Sequence, residues 1–164
     1  MDEVDEIVVA WGAVRPDLDV SPMQVLSRVR RLSELLEEQR QYAFAAHGLG
    51  THEFDVLAAL RRSAGSAELT PGQLLEATHV TSGTMSNRLE RLARRGLVTR
   101  RPDPQDGRQQ LVGLTPVGKQ RVDAALESLL EYERALVVGL RDDQRQGLVR
   151  SLRQLLEKHD LQAH

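Results

Sequence analysis

The chain has 164 residues, 40% apolar and 28% charged, with no cysteine and a formal net charge of −2. This is the composition of one folded domain with its own core. Disulfides, thiolate metal sites and thiol redox sensing are excluded, no apolar run approaches the ~18 residues of a spanning helix, and no basic-then-apolar leader is present.

Residues 1–13 (MDEVDEIVVAWGA) are acidic and then apolar, with Ile7, Val8 and Trp11 on one side of a short helix that Arg15-Pro16-Asp17-Leu18-Asp19 breaks. Ser21 as N-cap and Pro22 at N1 open a long second helix. Val25, Leu26, Val29, Leu32, Leu36 and Ala43 recur along it at helical spacing. It runs for about 25 residues, about 38 Å, to the break His47-Gly48-Leu49-Gly50. Thr51 caps a third helix in which Phe54, Val56, Leu57 and Leu60 are apolar, ending before Gly65-Ser66.

Thr70-Pro71-Gly72-Gln73 then combines an N-cap threonine, proline at N1 and glutamine at N3, the capping-box pattern. Leu74 and Leu75 give this helix a buried side, and Ala77-Thr78-His79-Val80 forms a turn. Thr81 caps the next helix, where Met85, Leu89 and Leu92 make one apolar stripe and Gly96 stops it at C′. Its other face carries Ser82, Thr84, Ser86, Asn87, Arg91, Arg94 and Arg95. Short hydroxyls allow close approach to a groove floor, and arginines reach guanine edges or phosphates. Leu97-Val98-Thr99-Arg100-Arg101 is β-prone, residues 102–108 (PDPQDGR) form a turn, and Gln110-Leu111-Val112-Gly113-Leu114 returns as a hairpin partner. Helix, turn, helix, strand, charged tip, strand is a winged helix-turn-helix. The fold class is therefore mainly α with a small β-wing.

Charge segregation agrees. Residues 81–110 hold seven arginines against three acids, leaving fifteen basic and twenty-one acidic residues elsewhere. Positive charge is concentrated where helix and wing meet phosphate.

Thr115-Pro116 starts another long helix lined by Val122, Ala125, Leu126, Leu129, Leu136 and Val137. After a break at residues 139–143, a last helix carries Leu148, Val149, Leu152, Leu155 and Leu156 on one side and Arg150, Arg153 and Glu157 on the other. The long second helix exceeds what a small winged module needs. Apolar stripes at both chain ends therefore point to a helical interface rather than a private core.

Catalytic and metal chemistry find no constellation. His47, His52, His79, His159 and His164 include no i, i+4 pair with a carboxylate in place, and P-loop, GxGxxG and Gly-x-Ser-x-Gly patterns are absent. The expectation is a non-enzyme with no cofactor and no metal.

Leu92-Ala93-Arg94-Arg95-Gly96-Leu97, the tip from Asp103 to Arg108, and Leu114-Thr115-Pro116-Val117-Gly118 resemble the MarR family of bacterial regulators. The resemblance spans nearly the whole chain. It implies an interlocked helical homodimer that binds double-stranded DNA through a pseudopalindromic operator, mainly as a repressor. It also implies a cytoplasmic protein, nucleoid-associated when bound, with no membrane partner. Arg108 would enter the minor groove, braced by Asp106. One compact domain would divide into N-terminal helices at 1–50 (dimerisation and pocket lid), the DNA-binding region at 51–114, and C-terminal dimerisation helices at 115–164.

Arg88 departs from that pattern, because it falls on the inward stripe between Met85 and Leu92, where MarR relatives usually carry an apolar residue. A guanidinium there must find a partner, snorkel or face a cavity, and Asp55 is a candidate partner. Trp11, Asp55, Arg88 and Arg100 resemble the quartet of the urate-responsive MarR subgroup, which also has an extra N-terminal helix. That implies a small anionic ligand, urate or a related purine, ahead of a polycarboxylate or an aromatic acid. The alternatives are a structural Asp55–Arg88 ion pair without ligand, and a helical protein-interaction module without specific DNA binding.

Overall fold

The computed structural model describes residues 1–63, 68–78, 81–106 and 108–162, with side chains to residue 158. Gly65-Ser66, His79-Val80, Gly107, His164 and the side chain of His159 lie outside the described residues. Among these residues, seven helices and three strands follow in the order α1 (Glu3–Val14), α2 (Met23–Ala45), α3 (Thr51–Arg62), β1 (Glu68–Leu69), α4 (Pro71–Thr78), α5 (Ser82–Arg94), β2 (Val98–Pro102), β3 (Gln110–Leu114), α6 (Pro116–Val137) and α7 (Asp142–Gln162). The sheet is antiparallel in the order β1-β3-β2. Arg100 faces Val112 and Pro102 faces Gln110 across the wing, while Glu68 faces Gly113 on the other side.

Local signals explain most boundaries. The α4 capping box forms: Gln73 N–H donates to the Thr70 hydroxyl at 3.2 Å, and Thr70 N–H donates to Gln73 Oε1 at 2.8 Å. Gly96 takes φ +65°, with its N–H on Ala93 C=O and Leu97 N–H on Leu92 C=O, the Schellman arrangement that closes α5. Thr115 caps α6 by accepting Gly118 N–H at 2.9 Å.

Three caps and one strand differ from expectation. Helix α2 starts at Met23 with Pro22 as N-cap and no side-chain cap, while Asp19 accepts the Ser21 N–H in a local turn. Gly50, not Thr51, is the N-cap of α3, and the Glu53 carboxylate accepts its N–H at 3.0 Å. Thr81 occupies the N-cap of α5, but its hydroxyl meets the Thr84 hydroxyl at 3.0 Å instead of a backbone N–H. Strand β1, two residues long, is too short to show any period.

The core lies in the winged lobe and the adjoining helices. Phe44, Phe54, Leu57, Leu74, Met85, Leu89, Leu92, Leu97, Val112, Val122 and Leu129 are buried in one cluster, and Phe44 stacks on Phe54 with centroids 3.9 Å apart. Helix α1 packs on the first half of α2 through Val4 and through ion pairs of Asp2 and Asp5 with Arg28. The stripes of the end helices stay uncovered: Val25, Leu26, Val29 and Leu32 on α2, and Leu148, Val149, Leu152, Leu155 and Leu156 on α7, are exposed. No helix among the described residues is long and apolar enough to cross a membrane.

Candidate DNA-binding surface and ligand site

Helix α5 is amphipathic because its stripe at 85, 89 and 92 is buried against α3 and α4 while the reverse face, Gly83 apart, is polar. Ser82, Thr84, Ser86, Asn87, Arg91 and Arg94 are all exposed. Thr84, Asn87, Arg91 and Arg94, spaced by three and four, form one line along the helix. The guanidinium of Arg94 has no ion pair among the described residues.

The expected arginine cluster is not uniform, because it meets a residue that sequence reasoning missed. Glu53 on α3 is 2% exposed. Its carboxylate accepts Arg91 Nε at 2.9 Å, Arg95 Nη1 at 2.7 and 2.6 Å, and the Gly50 N–H. Arg95 Nη2 also donates to Gly48 C=O. Only a glutamate three residues after Gly50 hinted at this role. Burial pushes the Glu53 carboxyl up, but hydrogen bonds from Arg95, Gly50 and Arg91, with the Arg95 charge, outweigh it and leave it below its ordinary 4.5. A depressed folded pKa gives stability above the ordinary value that is lost as pH falls through the folded one. The melting-temperature advantage of wild type over Glu53→Gln should therefore hold above pH 4.5 and shrink below it. A constant difference from pH 6 to pH 3 on thermal melts would show the ion cluster contributes nothing.

Arg88 is half-buried beside a groove of about 500 Å³ lined also by His52, Glu53, Thr84, Asn87, Glu90, Arg91 and Arg94. Its Nη1 is buried and has no hydrogen-bond partner among the described residues. The structural alternative of an Asp55–Arg88 ion pair is corrected: Asp55 pairs with Arg40 Nη2 at 2.9 Å. Arg40 projects from α2, which passes alongside α3, and so competes successfully for the carboxylate. Arg100 lies on the wing with its Nε on Gln110 Oε1 at 3.0 Å, and Trp11 on α1 is 48% exposed. Within one chain, Trp11, Asp55, Arg88 and Arg100 share no hydrogen bond or ion pair among the described residues.

At the wing tip, Asp106 accepts the backbone N–H of Arg108 at 3.1 Å and the Gln109 side-chain amide at 3.1 Å. The carboxylate orders the backbone of the tip and leaves the Arg108 guanidinium exposed. Arg101 is held on Glu68, tying β2 to β1. No group of three or more potential metal-ligating side chains occurs among the described residues.

An exposed basic helix of a helix-turn-helix, flanked by a hairpin with an exposed arginine at its tip, defines a winged-helix DNA-binding protein. A MarR family profile matches residues 47–109. PecS of Dickeya dadantii strain 3937, an HTH-type transcriptional regulator, is 34% identical over 157 residues, covering 96% of this chain and 94% of PecS. The Staphylococcus aureus MepR–DNA complex is similar at a TM-score of 0.67 with 25% identity, covering 79% of this chain and 92% of that one. Bordetella bronchiseptica BpsR, whose DNA binding is regulated by 6-hydroxynicotinic acid, is similar at 0.65 with 27% identity, covering 80% and 91%. The chain belongs to the MarR family; it is a DNA-binding transcriptional regulator and not an enzyme.

Proposed function

We propose that the protein is a homodimeric repressor, acting in the cytoplasm, that binds a pseudopalindromic operator and is released by a small organic anion. The uncovered stripes on α2 and α7 support the dimer, since apolar patches of this kind mark interaction surfaces. A two-fold dimer would set two α5 helices in successive major grooves, about 34–36 Å apart. Ser82, Thr84, Ser86 and Asn87 would read or line the bases, Arg91 and Arg94 would meet guanine edges or phosphate, and Arg108 would enter the minor groove from a tip held by Asp106.

The observation that carries ligand response is the buried, unpartnered Nη1 of Arg88. An unsatisfied buried cation donor is costly, and an anion would satisfy it. Because Arg88 belongs to the helix that reads DNA, binding there changes the element that must fit the groove. Trp11, Asp55 and Arg100 complete the site only if the dimer or a ligand-bound state gathers them. Urate or a related purine is the first ligand class, with polycarboxylates next. Aromatic acids gain support from the likeness to BpsR, whose DNA binding responds to one.

The test uses the single tryptophan. Urate, xanthine, aconitate, citrate and salicylate are titrated against wild type and Arg88→Leu, following Trp11 fluorescence and release of a promoter fragment in gel shifts. Wild type should form a specific complex and lose it with at least one anion, tenfold release corresponding to about 1.4 kcal/mol of differential affinity. Arg88→Leu should keep the DNA complex and lose the response. Equal release of both proteins would place the ligand elsewhere. Absence of any specific complex would favour a protein-interaction module.

A further inference from the structure

A carboxylate as buried as Glu53 is costly unless fully paired, and its partners come from two places at once. Gly50 donates from the corner between α2 and α3, while Arg91 and Arg95 donate from α5. The two arginines are used very differently. Arg95 has both terminal nitrogens in protein contacts, Nη1 on Glu53 and Nη2 on Gly48 C=O, and its side chain is 31% exposed. Among the described residues Arg91 is held by Nε alone, and its side chain is 63% exposed. Its two Nη groups are thus left at the surface on the line of Thr84, Asn87 and Arg94. A guanidinium fixed at Nε keeps its planar fork in one orientation. It has already lost rotamer freedom that a free arginine would lose on binding DNA.

We propose that Glu53 is a positioning residue for operator binding. It presets the outer edge of Arg91 for a DNA phosphate and withdraws Arg95 from the DNA interface, so that Arg95 braces the end of α5 against the α2–α3 corner. This rests on the operator-binding reading above. The arginine-rich end of α5 is then divided: Arg94 free, Arg91 aimed, Arg95 structural.

The test measures operator affinity of the full-length protein by fluorescence anisotropy over a salt series, with circular dichroism melts alongside. Glu53→Gln removes the charge but keeps the shape. It should weaken binding about fivefold, Arg91→Ala about tenfold, and the double variant little more than Arg91→Ala alone, the non-additivity expected of residues acting as a unit. Arg91→Ala and Arg94→Met should each lower the salt slope by about one. Arg95→Met should weaken binding with the slope unchanged, which loss of a phosphate contact does not do. Additive effects of Glu53→Gln and Arg91→Ala would overturn the proposal. So would an equal loss of slope in Arg95→Met and Arg94→Met, and this second comparison decides the matter if Glu53→Gln fails to fold. A wild type with no salt-dependent operator complex would remove the operator reading itself, an outcome separate from either.

Discussion

Gly118→Ala should destabilise the protein by about 3 kcal/mol, lowering the melting temperature by roughly 6–12 °C. A Cβ at Gly118 would lie 2.0 Å from the Leu97 carbonyl oxygen and 2.9 Å from its carbon, both backbone atoms. Nothing there can rotate away, so α6 or the α5–β2 corner must shift. That corner is already fixed from both sides. Thr115 donates its hydroxyl to Gly96 C=O at 2.7 Å and its N–H to Leu97 C=O at 3.1 Å, while the same hydroxyl caps α6. The glycine is therefore required by close approach of two backbones, not by a positive φ. Gly12→Ala is the control, because a Cβ there meets nothing within 4 Å, and a glycine-to-alanine change inside a helix should stabilise it by about 0.5–1 kcal/mol. Equal melting temperatures for Gly118→Ala and wild type would mean that the corner yields freely.

Removal of residues 141–164 should abolish the proposed dimer and weaken operator binding at least about hundredfold, the scale lost when two linked binding events become one. Among the described residues, helix α7 contributes none to the buried cluster. Its stripe of Leu148, Val149, Leu152, Leu155 and Leu156 is exposed in the single chain, so its burial energy is realised only against another surface. Each such side chain is worth roughly 1.5–3 kcal/mol when fully covered. The truncated chain should retain a cooperative melt, sediment as a monomer and bind a half-site weakly. A truncated chain that remained dimeric, or that bound the full operator as tightly as wild type, would locate the interface on other helices.

The sequence by itself determined the winged helix-turn-helix and which face of α5 is exposed. Those depend on signals within one or two turns: the Thr70–Gln73 capping box, the 85-89-92 stripe, the C′ glycine at 96 and the Thr115-Pro116 start. Each is a contact between residues no more than a few positions apart, so residue type and spacing suffice. The arginines were legible as a cluster for the same reason. The division of labour among them was not. Glu53 meets Arg91 and Arg95 across 38 and 42 positions, and Asp55 chooses Arg40 over Arg88 because α2 runs beside α3. Which carboxylate reaches which guanidinium depends on how three helices pack, and a chain rich in arginine offers many equivalent partners along its length. Strand β1 and the close approach at Gly118 were decided in the same way: two residues acquire strand geometry from the neighbouring β3, and a glycine becomes indispensable once another backbone lies against it.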